Sequence, residues 1–166
     1  MYPTIQSFIA EYENESTATQ KLLDALTDAS LAQEIAPGYR NLGHLAWHLV
    51  HTQQGLLTGA GLAFEAPAAD SPVPASAASI AGTYRQVTHA ILEAVQKQWS
   101  NESLAETVNL FGQSWTKGET LYIFLKHEIH HRGQLTILMR QAGLPVTGMY
   151  GPSKEEWSAM GMEAPV

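Results

Sequence analysis

An all-α fold, an up-and-down four-helix bundle with a short C-terminal helix, is what this sequence predicts. Three observations predict it. Four long segments carry apolar residues at spacings of three and four. Cap residues or Pro/Gly breaks stand between them. Strand-like alternation is nearly missing. Four one-sided helices bury their stripes most simply against one another.

The first segment, Thr4 to Leu31, carries Ile5, Phe8, Ile9, Tyr12, Leu22, Leu23 and Leu26, and Ala36-Pro37-Gly38 breaks the chain after it. The second opens at Asn41, a good N-cap, runs through Leu42, Leu45, Leu49 and Leu56 to Thr58, and stops at Gly59 and Gly61. Residues 62–76, rich in Ala, Pro and Ser, read as a loop. The third covers Ser76 to Gln98 with Ile80, Tyr84, Val87, Ile91, Leu92 and Val95. Residues 101–117 have no clear period; Thr107-Val108-Asn109-Leu110 suits a short extended piece, without grounds for a sheet. Thr116 with Glu119 is a capping box that opens the fourth helix, Lys117 to Ala142, and Gly143 and Pro145 end it. Ser153 with Glu156 repeats the spacing and opens a tail helix, Lys154 to Met160. No internal repeat and no domain-splitting linker is visible, so residues 1–166 are expected to form a single domain.

Composition narrows the function. With 45% hydrophobic and 15% charged residues the chain is not disordered. Nine Lys+Arg against 16 Asp+Glu give a formal charge of -7, which disfavours nucleic acid and anionic lipid as partners. Without cysteine there is no disulfide frame, no Cys zinc site and no Cys nucleophile. No apolar run approaches the ~18 residues of a membrane helix. MYPTIQSFIA lacks the basic start of a secretory signal, so a cytoplasmic location is expected.

Seven histidines are present, six of them in two clusters: His44, His48 and His51, then His127, His130 and His131. His127 and His131 stand four residues apart, about 40° around a helix, one above the other. From His127, Leu138 lies at about 20°, Phe124 at about 60° and Leu135 at about 80°, so the pair sits inside the apolar stripe. His130, at about -60°, falls off it. On the second helix the stripe centres about 90° from His48, but about 130° from His44 and about 150° from His51. His48 is therefore the third candidate ligand, and His44 and His51 are expected to flank it or face solvent. A lone histidine such as His89 reads as a satisfied core group. Two buried neutral imidazoles need polar partners, and one cation satisfies both. Three protein ligands leave a coordination position open, which is the catalytic kind of site. An ion there would lower the pKa of a bound water, hold a thiolate or polarise an electrophile.

His127-Glu128-Ile129-His130-His131 also matches H-E-x-x-H, the zinc-peptidase pattern, with Glu128 as general base. The extended form fails, since Gly133 comes one position early and Ile137 stands where a third histidine belongs. Arg132 lies about 140° from His127 on the helix, and a structural salt bridge suits it at least as well as anion binding.

His127-Glu128-Ile129-His130-His131-Arg132-Gly133-Gln134-Leu135 followed by Met139-Arg140-Gln141-Ala142-Gly143-Leu144-Pro145 resembles the signature of the DinB family, within the DinB/YfiT-like superfamily of metal-dependent proteins. Trp47-His48 resembles the family's second-helix histidine, and Tyr150-Gly151-Pro152 with Glu156-Trp157 the tail of one subgroup. The resemblance implies a four-helix bundle, a homodimer, and a divalent ion, nickel or zinc, on His48, His127 and His131. It also implies chemistry of the kind seen in thiol-dependent S-transferases and a mycothiol-dependent isomerase, with a low-molecular-weight thiol as cosubstrate. The expected function is thus metal-dependent transfer of a thiol to, or hydrolysis of, a small-molecule substrate during stress, with Glu128 a candidate acid/base. The alternatives are a non-catalytic metal- or ligand-binding stress protein and, with less support, an HExxH-type metallopeptidase. Low charge density and aromatic side chains expected at the surface, such as Trp157, also point to a homodimer.

Overall fold

Thr4 opens the first helix, α1 (Ile5–Asp24), with a reciprocal cap to Ser7. Its buried residues, Ile5, Phe8, Ile9, Tyr12, Ser16, Thr19, Leu22 and Leu23, form one stripe. The helix stops at Asp24, seven residues before the expected end. Thr27 and Ser30 cap one another and start a separate 3-10 turn, Asp28–Ala32, whose Asp28 carboxylate accepts from the Ala77 amide at 2.7 Å. A local cap satisfies amides that a continued helix would otherwise satisfy.

Asn41 caps α2 (Leu42–Gly59) by accepting from the His44 amide. Ser76 caps α3 (Ala77–Gln98). The expected Thr116–Glu119 box opens α4 (Lys117–Gln141), and Ser153 with Glu156 opens α5 (Lys154–Ala159). The computed structural model describes residues 2–165, apart from the side chains of Thr52 and Gln53. Among the described residues no helix is long and apolar enough to cross a membrane.

The fold is not purely α-helical. Residues 107–116 form an antiparallel hairpin, β1 (Thr107–Leu110) with β2 (Gln113–Thr116), registered Val108 opposite Trp115. Its two turn residues, Phe111 and Gly112, both have positive φ, the backbone of a primed hairpin turn. Strands of four residues are too short for a period of two to show in sequence. Buried Leu110 packs onto Gly59 at the end of α2, where a Cβ would stand in the way of the leucine methyl.

The four long helices share one core. α1 packs on α3 and α4, and α2 packs on α3 and α4. α1 therefore stands diagonally from α2, and α3 from α4. A simple up-and-down order would set each helix beside the next one in sequence, and this arrangement does not. Short loops force sequence neighbours together. Here the joins are long: residues 25–41 and 99–116 are each long enough to cross the diagonal. The order matters for function, because it lays α2 directly against α4 and so brings the two histidine clusters face to face.

Candidate metal centre

His48 comes from the middle of α2, and His127 and His131 come from successive turns of α4. Their Nε2 atoms converge. His131 Nε2 lies 3.1 Å from His127 Nε2 and 3.2 Å from His48 Nε2. The rings are tilted or edge-on to one another, with centroids 4.3–5.3 Å apart. His131 is buried, and the other two are half-buried.

Donor separations of this size suit a shared ion. Bonds of about 2.0–2.1 Å, usual for imidazole, would fit an ion between His131 and each of the other two rings.

Tautomers decide whether the cluster is a ligand set or a hydrogen-bonded trio. His131 Nδ1 lies 2.7 Å from Gln134 Oε1, and Gln134 Nε2 reaches His130 Nε2 at 3.1 Å. An amide oxygen only accepts, so Nδ1 of His131 carries the proton and its Nε2 presents a lone pair to the cluster. Two neighbouring Nε2 atoms crowd that one lone pair. One cation held by all three rings would resolve the crowding.

Electrostatics keeps those lone pairs available. The His48 pKa is lowered to about 4, chiefly by burial and then by the charge of Arg40. His127 is also lowered to about 4, by burial and then by His131. His131 shifts the same way from burial, with Gln134 opposing. Neutral imidazole is the ligating form.

The remaining histidines separate as follows. His44 is exposed, its Nδ1 2.7 Å from the Asn41 cap oxygen. His51 flanks the site half-buried, edge-on to Trp47, with Nε2 3.2 Å from Ser71 Oγ. His130 is exposed, hydrogen-bonded to Gln134 and edge-on to the His131 ring with centroids 5.0 Å apart. His89, expected in the core, is exposed on α3: the neighbouring Tyr84, Val87 and Ile91 take the buried stripe and leave position 89 outside it.

Glu128 does not fit the role of general base. Its carboxylate is buried and accepts from Thr19 Oγ1 at 2.7 Å and from the Tyr84 hydroxyl at 2.5 Å. It faces α1 and α3, whereas the imidazoles face α2. One residue of helix rotates a side chain by about 100°, so adjacent residues serve different neighbours. Burial of Tyr84, and then the Glu128 charge, push the Tyr84 phenol well above the usual range. Of the two roles left open for Arg132, the structural salt bridge is the one seen: it is buried and pairs with Glu15, and Tyr150 donates to the same carboxylate at 2.7 Å.

Two participants were not picked out by sequence. Gln134 lies in the quoted motif but carries no signature of its own beyond its i+3 spacing from His131. Arg40 sits in the loop before α2, and its charge is felt by all three imidazoles.

The DinB family model matches residues 1–164. The Bacillus subtilis (strain 168) protein named uncharacterized protein YrdA is 47% identical over 165 residues, 99% of each chain. The crystal structure of a DinB-like protein from Bacillus cereus ATCC 10987 is also 47% identical, with a TM-score of 0.88 over 90% of this chain and all of that one. A second DinB-like structure, YjoA of Bacillus subtilis, shares the fold at a TM-score of 0.69 and 17% identity, over 89% of this chain and 99% of that one.

Proposed function

Because this chain belongs to the DinB family, we propose that it is a metal-dependent enzyme acting on a small molecule. One divalent ion, nickel or zinc, is held by His48, His127 and His131. The open face of the site serves transfer of a low-molecular-weight thiol, or hydrolysis of a small electrophile, in a stress response. The observation that carries the reading is the convergence of three Nε2 atoms within 3.1–3.2 Å steps, with the His131 lone pair aimed inward by Gln134. When bound, the ion supplies Lewis acidity toward a thiol or water and toward the electrophile.

The chain's own residues do the rest. Burial keeps His48 and His127 neutral near pH 7. Gln134 fixes one ring in tautomer and orientation. Three neutral ligands leave the ion's charge uncompensated, and Arg40 adds to the positive field, so an anionic reactant is drawn in. Glu128 is a positioning residue that ties α4 to α1 and α3.

Elemental analysis tests the ligand set: about one divalent ion per chain in the wild type, and loss of that ion in His48→Ala, His127→Ala and His131→Ala. Undiminished metal in all three ends the assignment. Cobalt-substituted protein then tests the chemistry. A spectrum perturbed by exogenous thiol supports thiol activation, and no change at saturating thiol reassigns the chain as a non-catalytic metal-binding protein. Glu128→Gln separates the peptidase reading, which requires that carboxylate as base.

The same reading includes a homodimer. Trp157 is half-buried and gives it no support, but Phe111 at the hairpin tip is 77% exposed and Met160 55%. Apolar side chains of this size left in water favour association. Sedimentation showing only monomer at micromolar concentration refutes it.

A further inference from the structure

Beside the imidazoles lies a cavity of about 410 Å³, within the range of small-ligand sites. Its buried lining is Leu45, Leu138 and His131, and through His131 it adjoins the candidate metal centre. Its rim is apolar and open to water: Ile35 is 56% exposed, Tyr39 70% and Ile137 52%. Apolar side chains gathered around one opening suit the hydrocarbon part of a ligand. Arg40 is the one charged residue in the lining. No carboxylate of the described residues lies within 4.0 Å of it, and the lining contains no Asp or Glu to compete for it.

The segment that presents Tyr39 and Arg40 is braced. Glu34 bridges to Asn41, the Leu42 amide donates to the Gln33 carbonyl at 2.8 Å, and the Tyr39 amide closes a turn on the Ala36 carbonyl at 3.2 Å. Gly38 within it has a φ of 81°, which an L side chain adopts poorly. A pinned loop that holds an unpaired guanidinium at the mouth of an apolar cavity is a carboxylate receptor in form.

We propose that this cavity binds an organic carboxylate with an apolar body: Arg40 pairs with the carboxylate, Ile35, Tyr39 and Ile137 cover the hydrocarbon, and the far end reaches the His131 wall. This deepens the proposed function by naming the ligand class, and its link to catalysis rests on that reading. The carboxylate belongs either to the electrophilic substrate or to the thiol.

Calorimetric titration of metal-loaded wild-type protein with 3-phenylpropionate and its neutral amide tests the pairing. The acid is expected to bind more tightly than the amide by about tenfold or more, the scale of a charge-assisted hydrogen bond. Arg40→Gln is expected to abolish that difference while leaving amide binding, melting temperature and metal content unchanged. A parallel titration with 3-mercaptopropionate and 2-mercaptoethanol locates the carboxylate. An Arg40-dependent preference confined to the thiol pair assigns it to the thiol, and one that also holds for 3-phenylpropionate assigns it to the substrate.

Equal binding of acid and amide, together with no Arg40-dependent preference for 3-mercaptopropionate over 2-mercaptoethanol, overturns the inference. So does acid binding that survives Arg40→Gln but vanishes on metal removal, because the carboxylate then sits on the ion. An intact metal site with no Arg40 effect sinks the cavity alone. Arg40-dependent acid binding by a protein that takes up no metal sinks the metal reading alone.

Discussion

Single residues set the chemistry of the site. Burial holds His48 and His127 near a pKa of about 4, against an ordinary value of 6.5. The unfolded chain therefore takes up protons between pH 6.5 and 4 that the native chain refuses, and native stability must fall as pH drops through that window. Metal-free protein melted at a series of pH values is expected to lose melting temperature from pH 6.5 downward, with a shallower loss in His127→Ala. Gln134 has a different role, since it neither ligates nor titrates. Gln134→Leu frees the His131 tautomer, and metal affinity measured by chelator competition is expected to drop about 10–100-fold, the usual effect of losing an outer hydrogen bond to a ligand histidine. Sequence picked out the three candidate ligands by rotation about the helix axis. It had no handle on Gln134, because only the side-chain direction shows which ring its oxygen meets.

At the scale of elements, a polar seam joins α1, α4 and the segment after α4. The Arg132 guanidinium pairs with Glu15, donates to the Glu15 carbonyl at 2.8 Å and to the Tyr150 hydroxyl at 2.6 Å, and lies over the Tyr150 ring. Breaking such a buried pair strands a charge. Arg132→Ala is expected to cost about 3–5 kcal/mol in urea denaturation, while metal stoichiometry in the folded protein stays at wild-type level. The tail depends on a close backbone approach at Gly148. A Cβ there would collide with the Gly151 carbonyl oxygen, the Glu156 carboxylate and the Ser153 amide. Glu156 is the residue that caps α5 and accepts from the Gly148 amide at 3.0 Å. Gly148→Ala is therefore expected to destabilise by about 1–3 kcal/mol, the range for overpacking, and to speed proteolysis after residue 148 ahead of the bundle.

For the whole molecule, the consequence of the diagonal helix order is that an ion held by the three imidazoles, as proposed, would clip α2 to α4 across a wide gap in sequence. An ion bound only to the native chain stabilises it by mass action, about 2.7 kcal/mol at a hundredfold excess over its Kd. For a chain of this size that corresponds to roughly 5–10 °C. Chelation is expected to lower the melting temperature by that amount, and His48→Ala to lack the response while still folding. A chelator response that persists in His48→Ala would place the ion elsewhere.

What the sequence determined by itself is everything encoded within a turn or two of helix. The four stripes, the Asn41 and Thr116 caps and the i,i+4 pair His127–His131 are of this kind, since periodicity and capping act over three or four residues. Tertiary structure decided the rest, because it depends on which distant segments become neighbours. His48 meets His131 across 83 residues, and Thr19 meets Glu128 across 109. The long joins let α1 stand diagonal to α2, a choice the stripes leave open because every order of four one-sided helices buries them. Arg40 reaches the imidazoles only because the pinned loop before α2 is held over the end of the α2–α4 contact, and a charge acts through space without regard to its place along the chain.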